Sequence, residues 1–306
     1  MANAFWAVPS RPPGPPPNPW PAVSMTWAGT NGTEWDLCSD TSGVRLAPGV
    51  RGLTMPPRDR YTSQYAGVAG SRSRGGRTAE REVFWPLAVW EESGTQAWLE
   101  YDAAWWASLN PRGTGVWRVT QPNGQWRELT CRPTGDGGKA WDVAPGMQGW
   151  TKYGVYLMAE DPFWYGPEIK SPLWTSAEPI DFIDSVTLGP PYHPGSATTI
   201  DTAELTNPGD EVAWPTWTVT GPVDSVQVSI EGHSIGYGAL IEGDVLVIDT
   251  DPRVQRASLN GADVTGDLSS YDFAPIPPGE TVKLDITMVG GGTLRASFRP
   301  RFDRAW

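Results

Sequence analysis

The chain has 306 residues and a mass of 33.3 kDa, which suits two ordinary domains, because single hydrophobic cores seldom grow past about 250 to 300 residues. With 39% apolar and 19% charged residues and 18 Trp it can bury sizeable cores, so disorder as a whole is excluded. An excess of 35 Asp and Glu over 23 Lys and Arg gives a net charge of −12, the wrong sign for gripping phosphate backbones or an anionic membrane.

Gly 35 and Pro 31 supply turns often enough to favour short strands over long helices, so the expectation is a mainly β protein. No apolar stretch approaches the roughly 18 residues of a spanning helix, and the N-terminus lacks the basic and apolar regions of a secretory signal. The expected protein is neither membrane-embedded nor secreted. Cys38 and Cys131 are too few for a disulfide framework and are not spaced as metal ligands, which leaves two buried thiols in a reducing cytoplasm.

Residues 1–22 read as an N-terminal arm. Eight prolines between Pro9 and Pro21 favour polyproline II, and thirteen such residues span about 40 Å. Trp6 and Trp20 are costly to leave in water and are the candidate anchors of this arm on an adjacent subunit.

Residues 23–200 read as the first domain. Strands are expected at Val23–Trp27 and Trp35–Cys38. Eight Arg then fall between Arg45 and Arg81 against Asp59 and Glu80 alone, and Gly67, Gly70, Gly75 and Gly76 oppose a helix. The expectation is a long, basic, flexible loop. Loops of such length are uncommon unless they bind something, so Arg58, Arg60, Arg72, Arg74 and Arg77 are the candidate interface residues.

A strand over Val83–Trp90 precedes Trp98, Tyr101, Trp105 and Leu109, whose spacing predicts one amphipathic helix with an aromatic core face. Val116–Thr120 and Gln125–Cys131 flank Asn123-Gly124, the signature of a tight hairpin, and Tyr153–Ala159 is a further strand. The segment Leu188–Gly195 reads as a linker, which places the boundary near residue 200. Residues 201–306 alternate apolar and polar at Val226–Ile230, Val282–Met288 and Leu294–Phe298, so a β-sandwich is expected. This half carries 16 acidic and 7 basic groups, and therefore most of the net negative charge.

Catalytic patterns are missing. His193 and His233 lie in no metalloprotease, zinc-finger or hydrolase arrangement, and Gly137-Gly138-Lys139 is not a phosphate-binding loop. No catalytic, cofactor or metal residues are assigned. The competing class is a carbohydrate-binding module recognising a bacterial cell surface, because Trp rings stack on sugars. Against it, Trp214 and Trp217 are an odd number of residues apart and would point to opposite faces of a regular strand.

Taken in order, several segments resemble the distal tail protein family of long-tailed (siphovirus) bacteriophages. They are Gly43 to Pro57, the Arg/Gly loop, the helix before Asn110-Pro111, the turn at Pro122-Asn123-Gly124 and Ala159 to Gly166. In the second half they are Leu205 to Glu211, Gly243 to Thr250, Leu259-Asn260-Gly261 and Ile276 to Gly279. The resemblance implies a split β-barrel belt domain with one helix, followed by a galectin-like β-sandwich. It also implies a non-enzymatic virion protein, assembled in the host cytoplasm as a homohexameric ring. That ring would join the tail tube protein to the tail-tip hub and receptor-binding proteins, and DNA would pass its lumen without specific binding.

Overall fold

The structure is a computed structural model and describes residues 22–138, 143–176, 197–200 and 203–306. The arm anchors Trp6 and Trp20, the segment Leu188–Gly195 and His193 lie outside the described residues. The chain divides into two compact units. One ends at Gly166 and takes in Phe302–Trp306, and the other comprises Pro167–Arg301.

The division therefore falls at Gly166/Pro167, well before the boundary expected near residue 200. The reason is strand pairing: Ile169 sits opposite Phe298 and Trp174 opposite Leu294, and Trp174 is buried in the second core. In chain order the second unit is an insertion, since the last five residues belong to the first unit.

The first unit is built on an antiparallel sheet. Its strands follow the order Glu34–Asp36, Ser24–Ala28, Gly115–Thr120, Trp126–Asp136, Trp150–Ala159, Arg81–Trp90 and Val44–Leu46. The two ends of this path meet where the Leu46 N–H donates to the Leu37 carbonyl at 2.8 Å, so the sheet nearly closes into the expected barrel. Alternation decides what lies inside: Val83, Trp85, Leu87 and Val89 point into the core with Trp27, Trp117, Leu129 and Leu157. Gly115 is required for this packing, because a Cβ there would stand 2.2 Å from the Trp27 ring.

The helix Thr95–Ala107 covers the core with Trp98 and Trp105 and holds the Ser42 carbonyl through the Tyr101 hydroxyl. A second, four-residue helix, Pro145–Gln148, adds to the single helix expected.

The second unit is a sandwich of two antiparallel sheets. One runs Ile169–Lys170, Thr293–Phe298, Thr216–Thr220, Val245–Asp249, Arg256–Leu259 and Ala262–Asp263. The other runs Ala197–Ile200, Thr281–Val289, Ser225–Ile230, His233–Tyr237 and Ser270–Tyr271. The Thr281–Val289 strand buries Val282, Leu284, Ile286 and Met288 and exposes the residues between, so a one-residue slip would turn its whole apolar set to water. Trp217 joins this core at 1% exposure. Asn207, fully buried, donates to the Glu211 and Ile276 carbonyls and accepts from the Gly209 N–H. That one amide ties together two of the segments that carry the family resemblance.

Candidate assembly surface

The basic stretch expected as a flexible loop is a β-hairpin. Arg58–Ser63 pairs antiparallel with Arg72–Thr78, and a bulge lies at Tyr61/Thr62. It forms a two-stranded sheet of its own, with all thirteen of its strand residues charged, hydroxyl-bearing or glycine, and almost all of it is exposed. Ladder hydrogen bonds and local side-chain contacts order it in place of a core.

Register separates the five arginines. Asp59, Tyr61 and Ser63 share one face; Arg77 stands opposite Asp59 and Arg72 opposite Ser63. The bulge keeps Arg74 on that side, where its guanidinium donates to Ser63 Oγ at 3.0 Å and Tyr65 Oη at 2.9 Å. Arg77 pairs with Asp59 at 3.0 Å. Arg58 and Arg60 take the other face. Arg58 is engaged within the chain, through both Asp303 carboxylate oxygens at 3.0 and 3.1 Å, and so fixes the hairpin to the C-terminal segment. Arg60 and Arg72 have no ion-pair partner among the described residues. Met55, Tyr61, Tyr65 and Val68 are each more than half exposed on the hairpin and beside it. Large apolar groups among arginines are the composition of an interface centre.

Arg81 stands outside the sequence expectations. Its guanidinium, 2% exposed, donates to the carbonyls of Pro162, Gly52, Thr54 and Asp303. The signal is strand parity: Arg81 shares the buried face with Val83, Trp85, Leu87 and Val89. A cleft of about 610 Å³ also went unexpected, lined by Trp106 and Leu109 on one side and Pro133 to Asp136 on the other. The Trp106 ring meets Tyr153 edge-on at 5.0 Å, and the Tyr153 hydroxyl donates to Asp102 at 2.7 Å. Burial raises the pKa of both Asp102 and Tyr153.

Among the described residues no group of three or more His, Cys, Asp or Glu is placed to hold a metal. His233 pairs with Asp272 at 2.9 Å on the exposed surface of the sandwich. Cys131 is fully buried and Cys38 half-buried, and burial raises both thiols above their ordinary value. Native-state alkylation near neutral pH should therefore modify Cys38 slowly and Cys131 only after unfolding. Mass mapping that finds Cys131 labelled as fast as Cys38 in the folded chain would contradict the burial.

The Dit protein of phage SPP1, described as a paradigm of hub adsorption apparatus in Gram-positive infecting phages, superposes with a TM-score of 0.64 at 15% identity. The match covers 92% of this chain and all of that one. The chain has the distal tail protein fold. A chain of the phage P2 baseplate in its activated conformation is similar over 90% of this chain and 98% of its own length, at a TM-score of 0.51 and 9% identity. In sequence, the minor tail protein Gp27 of Mycobacterium phage L5 is 23% identical over 91% of this chain and 96% of its own. No protein-family model matches. The distal-tail likeness covers nearly the full length, so it includes both units.

Proposed function

We propose that this chain is a structural protein of a bacteriophage tail tip, acting as a hub that joins the tail tube to the adsorption apparatus. The observation that carries this is the whole-length likeness to SPP1 Dit, supported by the sequence likeness to a mycobacteriophage minor tail protein. In this reading the protein resides in the virion, does mechanical and connecting work, and catalyses nothing.

The finer proposal is a closed ring of six copies built through the first unit, with a lumen for DNA. A heterologous contact, in which a patch on one copy meets a different patch on the next, generates rings. The hairpin supplies one such patch. Arg72, Arg74 and Arg77 with Tyr61 and Tyr65 form a basic, aromatic surface on a chain of net charge −12, so neighbouring copies offer it carboxylates. Arg60 extends the basic surface to the other face, and Arg58 holds the hairpin in position through Asp303. An acidic lumen repels DNA and keeps it from sticking in transit. The arm's Trp6 and Trp20 are the proposed contacts to an adjacent subunit.

The test is the native mass of the purified chain, which should be six chain masses, with the combined Arg72→Glu, Arg74→Glu, Arg77→Glu variant measured beside it. Charge reversal should raise the concentration for half-assembly more than tenfold while leaving circular dichroism unchanged, because these side chains bury little within one copy. A monomeric parent at every concentration would sink the ring, and an unchanged mass in the variant would sink the hairpin's part in it.

A further inference from the structure

We propose that the cleft between the end of the helix and the Pro133–Asp136 bulge receives the tip of the basic hairpin, residues 64–71, of a second copy of this chain. The proposal rests on the ring reading above and names the surface that the hairpin meets there.

The hairpin has a basic neck and an apolar tip. Its ladder ends at Ser63 and Arg72, and the eight residues between them, Gln64 to Ser71, carry no charge. The Val68 N–H donates to the Tyr65 carbonyl at 3.3 Å, in a turn that leaves Tyr65 58% and Val68 68% exposed. Six residues of strand carry this tip about 20 Å from the base, where Arg58 pairs with Asp303. The two-stranded sheet has no core of its own, so packing within one copy gives no reason for apolar groups at its end. Burial in a pocket of a partner does.

The cleft has the complementary form. Trp106, Leu109, Pro111, Pro133 and Val155 give it apolar walls, and its volume of about 610 Å³ lies in the range of pockets that enclose small ligands, room enough for the side chains of a turn. Tip and cleft are both open in the folded chain, so they do not meet within one copy. A knob on one surface and a pocket on another make a heterologous contact, the kind that passes from copy to copy and closes a ring.

Charge agrees with shape. From Arg58 to Thr78 there are five Arg against Asp59 alone, whereas Glu91 to Pro111, which includes the helix, holds Glu91, Glu92, Glu100 and Asp102 and no Lys or Arg. Arg112 is the first cation beyond them. The helix ends at the cleft with no basic residue in its last turn, so the partial negative charge of its C-terminus adds to that of the carboxylates. Arg72 flanks the tip and Asp136 lines the cleft, and neither has an ion-pair partner among the described residues. Docking the apolar tip brings this pair together at the rim, where complementary charge fixes register and partner.

The experiment places a photo-crosslinking phenylalanine analogue at Val68 in the full chain. Protein labelled with ¹⁴N and with ¹⁵N is mixed dilute, concentrated to assemble and irradiated, and the crosslinked peptides are mapped beside the native mass of the sample. The expected product joins position 68 to residues 106–111 or 133–136 of a differently labelled chain. Asp136→Arg should raise the concentration for half-assembly at least tenfold, and adding Arg72→Glu should bring it back to within threefold of the parent. Val68, Arg72 and Asp136 are all exposed, so circular dichroism should not change. Crosslinks within one isotopic chain, or to any other region of an assembled neighbour, would overturn the cleft as the seat while the ring itself stands. So would an Asp136→Arg variant that assembles as the parent does, or a double variant no better than the single one. A parent that stays monomeric at every concentration would overturn the ring reading and this contact with it.

Discussion

Replacing Arg81 with Met should lower the stability of the first unit by about 3 to 5 kcal/mol, the usual cost of removing one side of a buried charged network. The guanidinium fork is the only side chain able to hold four carbonyls at once: Nε donates to Pro162 at 2.6 Å, Nη1 to Gly52 at 2.7 Å and also to Thr54, and Nη2 to Asp303 at 2.7 Å. Burial pushes its pKa down to about 10, which still leaves it charged at neutral pH. Methionine fills part of the volume but takes the donor from the Pro162, Thr54 and Asp303 carbonyls and leaves Gly52 with the Trp164 indole N–H at 3.3 Å. Gly52 is part of the same device. Its φ of +108° turns the carbonyl toward Arg81, and a Cβ there would stand 2.7 Å from Val83 Cγ2.

The variant should also loosen the C-terminus, because Asp303 and the Ala305 N–H, which donates to Leu53 at 3.0 Å, secure the last five residues to that loop. Arg81→Lys keeps the charge with three donors in place of five and should lose roughly half as much. Urea unfolding followed by Trp fluorescence, with hydrogen exchange over residues 302–306, measures both effects. A Met variant within about 1 kcal/mol of the parent, with unchanged exchange at the C-terminus, would show that the carbonyls find water or other donors.

What the sequence made legible follows the same physics. Strands with one dry face declared themselves: Thr281–Val289 and Arg81–Trp90 alternate, and Trp98, Tyr101 and Trp105 recur at helical spacing. The hairpin of Arg58–Ser63 and Arg72–Thr78 was illegible as strand because it buries no apolar face and so has no alternation to read. The boundary at Gly166 escaped for a different reason. Ile169–Lys170 and Trp174–Thr175 are two residues each, too short for any period, and are strands only because Thr293–Phe298 offers them a ladder. Arg81 carried a parity signal, but its partners are backbone carbonyls, which every residue has and no composition reveals. Those carbonyls explain two resemblance segments: Gly43 to Pro57 contributes Gly52 and Thr54, and Ala159 to Gly166 contributes Pro162. The cleft was out of reach because Trp106 and Asp136 are thirty positions apart and meet only when the barrel forms.

Trp85→Ala should cost about 3 to 5 kcal/mol, toward the upper end of that range for large-to-small core changes. Trp85 is fully buried and stands edge-to-face against Trp27 at 5.2 Å and 80° and against Trp117 at 5.2 Å and 76°; Trp117 continues to Trp164 at 5.1 Å. Trp27 and Trp117 face each other across neighbouring strands, whereas Trp85 comes from Arg81–Trp90, farther along the barrel wall. The ring therefore spans the interior, and alanine would leave a cavity bounded by a closed sheet that has little freedom to collapse. Two aromatic contacts, each worth about 0.5 to 1.5 kcal/mol beyond buried area, disappear with it.

Phenylalanine separates area from polarity. The Trp85 and Trp117 indole N–H groups have no acceptor among the described residues, so Trp85→Phe removes volume together with an unpartnered buried donor. Its cost should fall to about 1 to 2 kcal/mol, below what the lost volume alone would give. Urea midpoints of the two variants, read by far-ultraviolet circular dichroism so that loss of the fluorophore does not interfere, decide the matter. If Phe destabilises as much as Ala, the indole N–H is bonded in solution and the ring is held by polarity; if Ala costs under about 2 kcal/mol, the barrel interior collapses freely and its aromatic span is not what keeps it open.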